Sequence, residues 1–153
     1  MMLLNLWLIP FLARLCLVVM FPFSGYDKIA HWDEAMDQAR SAPLPGAHAM
    51  LVAAIMLEIG APFCIIFDWH DRLAAFLLAG FCVITAILYH PFWKFPDFWS
   101  KDGAGRSHFW DFLKNFGLTG GLLLVVIGGF PLPAQYAASH PLGDMPYTAP
   151  PQP

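Results

Sequence analysis

Residues 48–67 read HAMLVAAIMLEIGAPFCIIF, an apolar run that carries a single charge, Glu58. At about 1.5 Å per residue, a helix of this length covers the roughly 30 Å hydrocarbon core of a bilayer. Three comparable stretches lie at about residues 3–24, 72–92 and 112–130. The sequence therefore predicts an all-α, polytopic membrane protein that folds as a four-transmembrane-helix bundle.

The composition of the whole chain agrees with a membrane location. Of its 153 residues, 58% are hydrophobic and 12% are charged, whereas soluble domains have about 25% charged residues. Four spans leave only short connections, so we do not expect an enzyme that works alone. The net charge of −3 and the absence of any basic run exclude nucleic acid as an expected partner. The expected partners are the lipid bilayer and other membrane subunits.

The connections between the spans differ in character. Apolar residues recur at helical spacing over Ile29–Arg40, which predicts a short interfacial amphipathic helix after the first span. The brief Asp68–Asp71 segment makes spans two and three an antiparallel hairpin. Residues 1–130 thus form the predicted transmembrane domain, and the Pro-rich residues 131–153 read as an extended C-terminal tail.

The distribution of lysine and arginine predicts the orientation. The second loop offers Arg72, and neither terminus offers a basic residue. The first and third loops hold most of the basic residues: Lys28, Arg40, Lys94, Lys101 and Arg106, with Lys114 at the edge. By the positive-inside rule these two loops face the cytoplasm. We therefore expect a multi-pass protein of a bacterial-type plasma (inner) membrane with both termini extracytoplasmic.

Two charges lie inside the first two apolar stretches. Arg14 is about eleven residues into the first predicted span and Glu58 about ten into the second, so both are expected near the midplane. A charge there costs roughly 2.5–3.5 kcal/mol on insertion scales, which favours an Arg14–Glu58 ion pair. That pair either fixes the register of two helices or makes Glu58 a site of proton exchange or quinone contact, with Arg14 tuning its acidity. The remaining alternative is that the two residues face different helices or a partner subunit.

Polar residues also gather where the four spans reach the predicted cytoplasmic boundary. They are Tyr26, Lys28, His48, His90, Lys114 and Asn115. Such donors suit the carbonyl groups of a quinone at headgroup depth, although interfacial anchors and snorkelling lysines have the same composition. The histidines have no spacing that requires haem, no covalently bound cofactor is expected, and no Cys or His cluster predicts a metal.

Gly117 and Gly121 form a G-x-x-x-G pattern in the fourth apolar stretch. Glycines four residues apart on one helix face allow a second backbone to approach closely. We expect the partner to be the first span of the same chain, with another subunit as the alternative.

These residues resemble the DoxX and DoxD group of small four-helix membrane proteins over roughly residues 12–127. Five segments carry the resemblance, in order along the chain: Leu12-Ala13-Arg14, Phe23-Ser24-Gly25-Tyr26-Asp27-Lys28-Ile29, Glu58-Ile59-Gly60, His90-Pro91-Phe92-Trp93 and Lys114-Asn115-Phe116-Gly117-Leu118-Thr119-Gly120-Gly121. The resemblance implies that Arg14, Lys28, Glu58, Lys114 and Asn115 are the characteristic polar positions.

The resemblance implies a role beside a quinone-linked redox system, because the family is named for a subunit associated with sulfur oxidation and terminal oxidases. The first expected function is therefore an accessory, anchoring or quinone-contacting membrane subunit of a respiratory or related oxidoreductase. The alternative is a free-standing small transporter or permeability protein with Glu58 as its proton site. The two differ in whether the protein has stable partners.

Overall fold

The computed structural model describes residues 8–96, 98–100 and 103–127. In these ranges it contains six α-helices and one short 3₁₀ turn, with no strand. Four helical segments are long and apolar enough to cross a membrane, which confirms the predicted fold class. The predicted tail, the domain boundary at residue 130 and the start of the first predicted span lie outside the described residues.

The first span runs from Ile9 to Ala30 and consists of α1 (Ile9–Val18) and α2 (Met20–Ala30). Val19 between them keeps helical dihedral angles, with φ −57° and ψ −31°. Pro22 explains the slight interruption, because a proline has no N–H to donate to the carbonyl four residues earlier, at Val18. The predicted end of this span at residue 24 is therefore wrong, and the helix continues for six more residues to residue 30.

The amphipathic segment after the first span forms α3 (Trp32–Ser41). Its buried residues Ala35, Met36 and Ala39 pack against Leu51 and Ile55. Its acidic and amide side chains take the exposed face. The predicted short amphipathic helix is thus present, and its apolar side covers the next span.

Two long helices form the predicted hairpin, α4 (Ala47–Ile66) and α5 (Asp71–Tyr89). In the turn between them Asp68 and His70 have φ values of 56° and 53°, which lie in the left-handed region that side chains other than glycine seldom adopt. A 3₁₀ turn at Phe92–Lys94 follows α5. The last described helix, α6, runs from Ala104 to Val126 and begins eight residues before the predicted residue 112.

The early start of α6 has a packing cause in the aromatic third loop. Phe92 contacts the rings of Phe98, Phe109 and Phe112 with centroids 5.2–5.5 Å apart. Phe109 and Phe112 are three residues apart and so lie on one face of a helix. Their shared contact with the loop holds residues 104–111 in the helix despite their polar composition.

The densest part of the bundle lies where α1, α4, α5 and α6 meet. Val18, Ile65, Leu78 and Leu122 are each fully buried in one apolar cluster. This cluster occupies the part of the bundle near the α4–α5 turn. The opposite part, beneath α3, is less tightly filled and contains the candidate site.

Candidate functional site

Glu58 is the buried acidic residue of α4, with 3% of its surface exposed. Its Oε1 accepts hydrogen bonds from Lys28 Nζ at 2.9 Å and from Ser24 Oγ at 3.0 Å. Lys28 Nζ also donates to Ser24 Oγ at 2.7 Å. Ser24 and Lys28 are four residues apart on α2, so one helix face supplies both partners. The result is a compact Ser24–Lys28–Glu58 cluster between the first and second spans.

The predicted ion pair between Arg14 and Glu58 is wrong. Arg14 Nη2 instead lies 2.6 Å from Asp68 Oδ1 and 3.5 Å from Asp71 Oδ2, at the α4–α5 turn. The cause is the register of the first span, which ends at Ala30 rather than at residue 24. A shift of six residues moves Arg14 by about 9 Å along the helix axis, away from the midplane.

The same shift brings Lys28 inside the span, two residues before its end. Helical side chains lean toward the N-terminus of their helix, which here means toward the membrane interior. The Lys28 side chain reaches back in this direction past Ser24 and is 22% exposed. Lys28 therefore neutralises Glu58 in place of Arg14.

One oxygen of the Glu58 carboxylate has an incomplete set of partners. Its Oε2 lies 2.9 Å from Lys28 Nζ, but no donor among the described residues forms a hydrogen bond to it. A carboxylate can accept about four hydrogen bonds, and burial makes an unused acceptor costly. Glu58 is thus suited to accept a hydrogen bond from a ligand.

Glu58 lies on the wall of a cavity of about 420 Å³, within the usual range for small-molecule sites. Apolar residues of α2, α3, α4 and α5 form most of the wall, among them Phe21, Ala39, Leu51, Leu57 and Leu88. The polar lining residues are Ser24, Lys28, Gln38, Glu58, Thr85, Tyr89, His90 and Asn115. Thr85 Oγ1 donates to the Phe81 carbonyl at 2.9 Å, so its donor is already used.

The structure brings together half of the predicted boundary cluster. Lys28, His90 and Asn115 line the cavity with Glu58. Asn115 Nδ2 donates to the Asp111 carbonyl at 2.9 Å, which leaves its second N–H and its carbonyl oxygen for other partners.

The other three predicted cluster residues lie elsewhere. Tyr26 is 67% exposed, and His48 packs edge-to-face on Trp32 with ring centroids 5.5 Å apart. Lys114 forms an exposed ion pair with Asp111 at 2.9 Å. These three side chains do not line the Glu58 cavity.

Ser24 is the member of the charged cluster that the sequence did not predict as a site residue. The first predicted span ended at Ser24, which left this residue at a helix terminus. The spacing of Ser24 and Lys28 was the available signal, because residues four apart share a helix face. Gly25 lies between them because a Cβ there would come 2.9 Å from Ile59 Cγ1.

A second cavity, of about 590 Å³, lies between the first span and α6. His90 and Asn115 border both cavities, while Asp111 and Lys114 border this one. His90 Nδ1 is 3.4 Å from His108 Nδ1. His90 and Asn115 thus form the polar boundary between two spaces in the same half of the bundle.

The G-x-x-x-G pattern of α6 has one close contact. A Cβ on Gly121 would lie 2.7 Å from Leu17 Cδ1, which places the first span of the same chain against it, as predicted. A Cβ on Gly117 would meet nothing within 4 Å. The described residues include no group of three His, Cys, Asp or Glu that could hold a metal ion.

Comparison with known proteins agrees with this architecture. The family model described as DoxX matches residues 9–91, which include the first three spans and the Ser24–Lys28–Glu58 cluster. The chain belongs to the DoxX family. The match covers more than half of the 153 residues, and it includes every lining residue of the Glu58 cavity except Asn115.

Two curated proteins are similar to this DoxX-family chain. Inner membrane protein YqjF of Escherichia coli K12 is 31% identical over 117 residues, which is 76% of this chain and 81% of YqjF. Inner membrane protein YphA of the same organism is 25% identical over 118 residues, or 77% of this chain and 81% of YphA. No solved structure matches the chain.

Proposed function

We propose that this DoxX-family protein is an inner-membrane subunit that binds a quinone in the Glu58 cavity and belongs to a quinone-linked oxidoreductase. The observation that carries the proposal is the buried Glu58 carboxylate, whose Oε2 has the Lys28 ammonium as a neighbour but no hydrogen-bond donor among the described residues, in an apolar cavity that Asn115 and His90 also line. The printed names of the two relatives support the inner-membrane location.

The cavity has both hydrogen-bond donors and hydrogen-bond acceptors, which suits a ligand whose oxygens accept in one oxidation state and donate in the other. A quinone carries two carbonyl acceptors, and its reduced form carries two hydroxyl donors. The free N–H of Asn115 can donate to a carbonyl, and Glu58 Oε2 can accept from a hydroxyl. His90 can do either, depending on its tautomer. Both oxidation states of the ring would therefore find partners in one cavity.

The surroundings of the polar groups also fit a lipid-soluble ring. Most of the cavity wall is apolar and includes the aromatic rings of Phe21 and Phe81, which can pack on a flat ligand. The Lys28 ammonium group lies 2.9 Å from Glu58 Oε2, so the site offers a ligand both a donor and an acceptor at one place on the wall. In this proposal the electrons come from a partner subunit of the oxidoreductase.

Quinone content tests the proposal. The full chain is purified in mild detergent from its native membrane, and bound quinone is extracted and counted per protein chain. We expect quinone in the wild type and its loss in Glu58→Gln, because the amide removes the charged acceptor. Loss of a hydrogen bond to a charged group costs about 1.5–3 kcal/mol, or roughly ten- to a hundredfold in affinity.

Glu34→Gln is the matched control, because it makes the same chemical change on an exposed face of α3. It should keep the quinone content of the wild type. A wild type that carries no quinone, and binds none when it is added, contradicts the proposal. Quinone that is equally retained by Glu58→Gln contradicts the assigned role of Glu58.

The transporter alternative has one observation in its favour, the same buried carboxylate, whose Oε2 accepts no hydrogen bond from the described residues. The two functions differ in their partners. A large assembly that carries redox subunits after mild purification supports the oxidoreductase subunit. A small homogeneous oligomer without quinone, which conducts protons in liposomes and stops doing so in Glu58→Gln, supports the transporter.

A further inference from the structure

Two histidines face each other at the edge of the Glu58 cavity. The Nδ1 atoms of His90 and His108 are 3.4 Å apart, and the ring planes are tilted by 49°. Two imidazoles share a proton in such a contact only if one ring donates and the other accepts. The separation is slightly longer than the usual 2.7–3.2 Å, and catalytic hydrogen bonds commonly shorten when the ligand binds.

The environment of His108 holds its ring in place. Phe95 stacks on it with centroids 5.1 Å apart and planes 20° apart. His90 follows the end of α5, and its backbone N–H donates to the Ala86 carbonyl. The facing arrangement therefore depends on both the end of α5 and the start of α6, two helices that pack directly against each other.

The two histidines differ in what they can reach. His90 borders both cavities, whereas His108 borders neither and lies on the side of the third loop. The charged groups that border the same cavities as His90 come from three helices: Lys28 on α2, Glu58 on α4, and Asp111 and Lys114 on α6. His108 is thus the neighbour of His90 on the side away from the ligand.

A proton that leaves a ligand beside Glu58 needs a route to water. Glu58 itself is 3% exposed and is held by Lys28 and Ser24. The Lys28 ammonium group already donates hydrogen bonds to Ser24 and to Glu58. The wall has two other titratable side chains, Tyr89 and His90, and of these His90 contacts a second titratable group, His108.

We propose that His90 and His108 form a two-imidazole proton relay between the Glu58 cavity and the third loop; the relay depends on the proposed quinone site. A ligand hydroxyl gives its proton to one ring nitrogen of His90. His90 passes the proton on its Nδ1 to Nδ1 of His108, which releases its Nε2 proton to water. One proton leaves the ligand and one reaches water, with no electron transferred in these steps.

A hydroxynaphthoquinone tests the relay, because it has the quinone ring and its absorbance changes when its hydroxyl loses a proton. The probe is bound to the full chain in lipid nanodiscs at a pH that keeps it protonated. A rapid pH jump then starts deprotonation, and the absorbance gives the rate for the bound probe. Titration of the probe gives its affinity separately.

We expect His108→Gln to slow deprotonation of the bound probe by about a hundredfold, the usual contribution of a positioned acid–base group. The affinity should change by less than twofold, since His108 does not line the cavity. Free imidazole in the buffer should restore part of the rate. The control His31→Gln removes an exposed histidine that contacts Asp27 and should change neither quantity.

The outcomes separate the relay from the quinone site. Tight probe binding with an unchanged rate in His108→Gln overturns the relay and leaves the proposed function standing. A rate that falls together with a large loss of affinity also overturns it, because His108 then only supports the fold of the site. A wild type that does not bind the probe overturns both proposals.

Discussion

Glu58 is charged at a place where burial makes charge expensive, and Lys28 is the cation that reaches it. The pair lies between α2 and α4 with Glu58 at 3% and Lys28 at 22% exposure. Breaking a buried pair by removing one partner commonly costs 3–5 kcal/mol, because the other charge is left uncompensated. The partial exposure of Lys28 reduces that cost, since water can hydrate the ammonium group.

The first prediction concerns the coupling of Glu58 with each of two cations. We expect Glu58→Gln and Lys28→Met to be strongly non-additive, with the double variant more stable than the sum of the two losses implies. Contacting charges typically show a coupling of about 0.5–3 kcal/mol. The free energy of unfolding in mixed detergent micelles measures each variant.

Arg14 supplies the matched cycle for this prediction. Arg14→Gln removes a cation that contacts Asp68 and Asp71 at the other end of the bundle. Its effect should add to that of Glu58→Gln within about 0.5 kcal/mol. Strong coupling of Arg14 with Glu58, and none of Lys28 with Glu58, would contradict the arrangement of charges described above.

Helix approach sets the geometry of the site at the scale of elements. Gly25 on α2 lies against α4, where an added Cβ would be 2.9 Å from Ile59 Cγ1 and 3.4 Å from Glu58 Cβ. The absence of a side chain at Gly25 lets the two helices come close enough for Ser24 and Lys28 to reach Glu58. A methyl group at this position would push α2 away from α4, the two helices that carry the Ser24–Lys28–Glu58 cluster.

The second prediction follows from this contact. Gly25→Ala should destabilise the protein by about 1–3 kcal/mol, the usual cost of overpacking, and should weaken quinone binding as α2 moves from α4. Gly117→Ala is the control, because a Cβ there meets nothing within 4 Å. Alanine is the better helix former by about 0.5–1 kcal/mol, so this variant should be neutral or stabilised. The free energy of unfolding in mixed micelles and the quinone content are measured for both variants. Equal stability of the two variants would contradict the close approach of α2 to α4.

The elements were predictable from hydropathy, but the register of one of them was not. Apolar runs identified all four spans, and helical spacing identified α3. The end of the first span was misplaced because Ser24 and Gly25 signal a turn locally, whereas contacts with Glu58 and Ile59 keep them helical. Those contacts join residues far apart in sequence, and no local pattern reports them.

The predicted site depended on that register, which explains its mixed outcome. Glu58 was correctly expected to need a buried cation, since the energetic argument does not depend on which cation supplies it. The identity of the partner required the depth of each residue, and the six-residue shift exchanged Arg14 for Lys28. His90 lies at the end of α5, as the hydropathy pattern predicted, whereas Asn115 lines the cavity from the middle of α6, because that helix begins at Ala104 and not near residue 112.

The whole molecule has two polar ends of different construction. One end joins Arg14 to Asp68 and Asp71, and Arg72 Nη2 donates to the Ile127 carbonyl at 3.2 Å. The other end contains the Glu58 cavity beneath α3. At this first end, the contacts of Arg14 and Arg72 connect the first span with the α4–α5 turn and the third span with the end of the fourth. This end is therefore suited to hold the bundle together while the other end admits a ligand.

The third prediction concerns the orientation of these ends in the membrane. Lys28 is neutralised by Glu58 and contributes little to the positive-inside bias, and Arg14 is likewise paired. Without Lys28 and Arg14, the first and third loops and their edges still hold Arg40, Lys94, Lys101, Arg106 and Lys114, against Arg72 for the second loop. The bias keeps its direction after this correction, so the Glu58 cavity should open toward the cytoplasmic half of the bilayer.

Single cysteines placed in a variant whose three native cysteines are replaced by serine or alanine test this orientation. Ser41→Cys and Ser107→Cys report on the first and third loops, and Trp69→Cys reports on the α4–α5 turn; all three positions are exposed. A membrane-impermeant maleimide added to intact cells should label Trp69→Cys alone, because that turn faces outward. Opening the cells should make the other two reactive. The reverse pattern would move the cavity and the histidine relay to the outer half of the membrane, where protons would exchange with the opposite compartment.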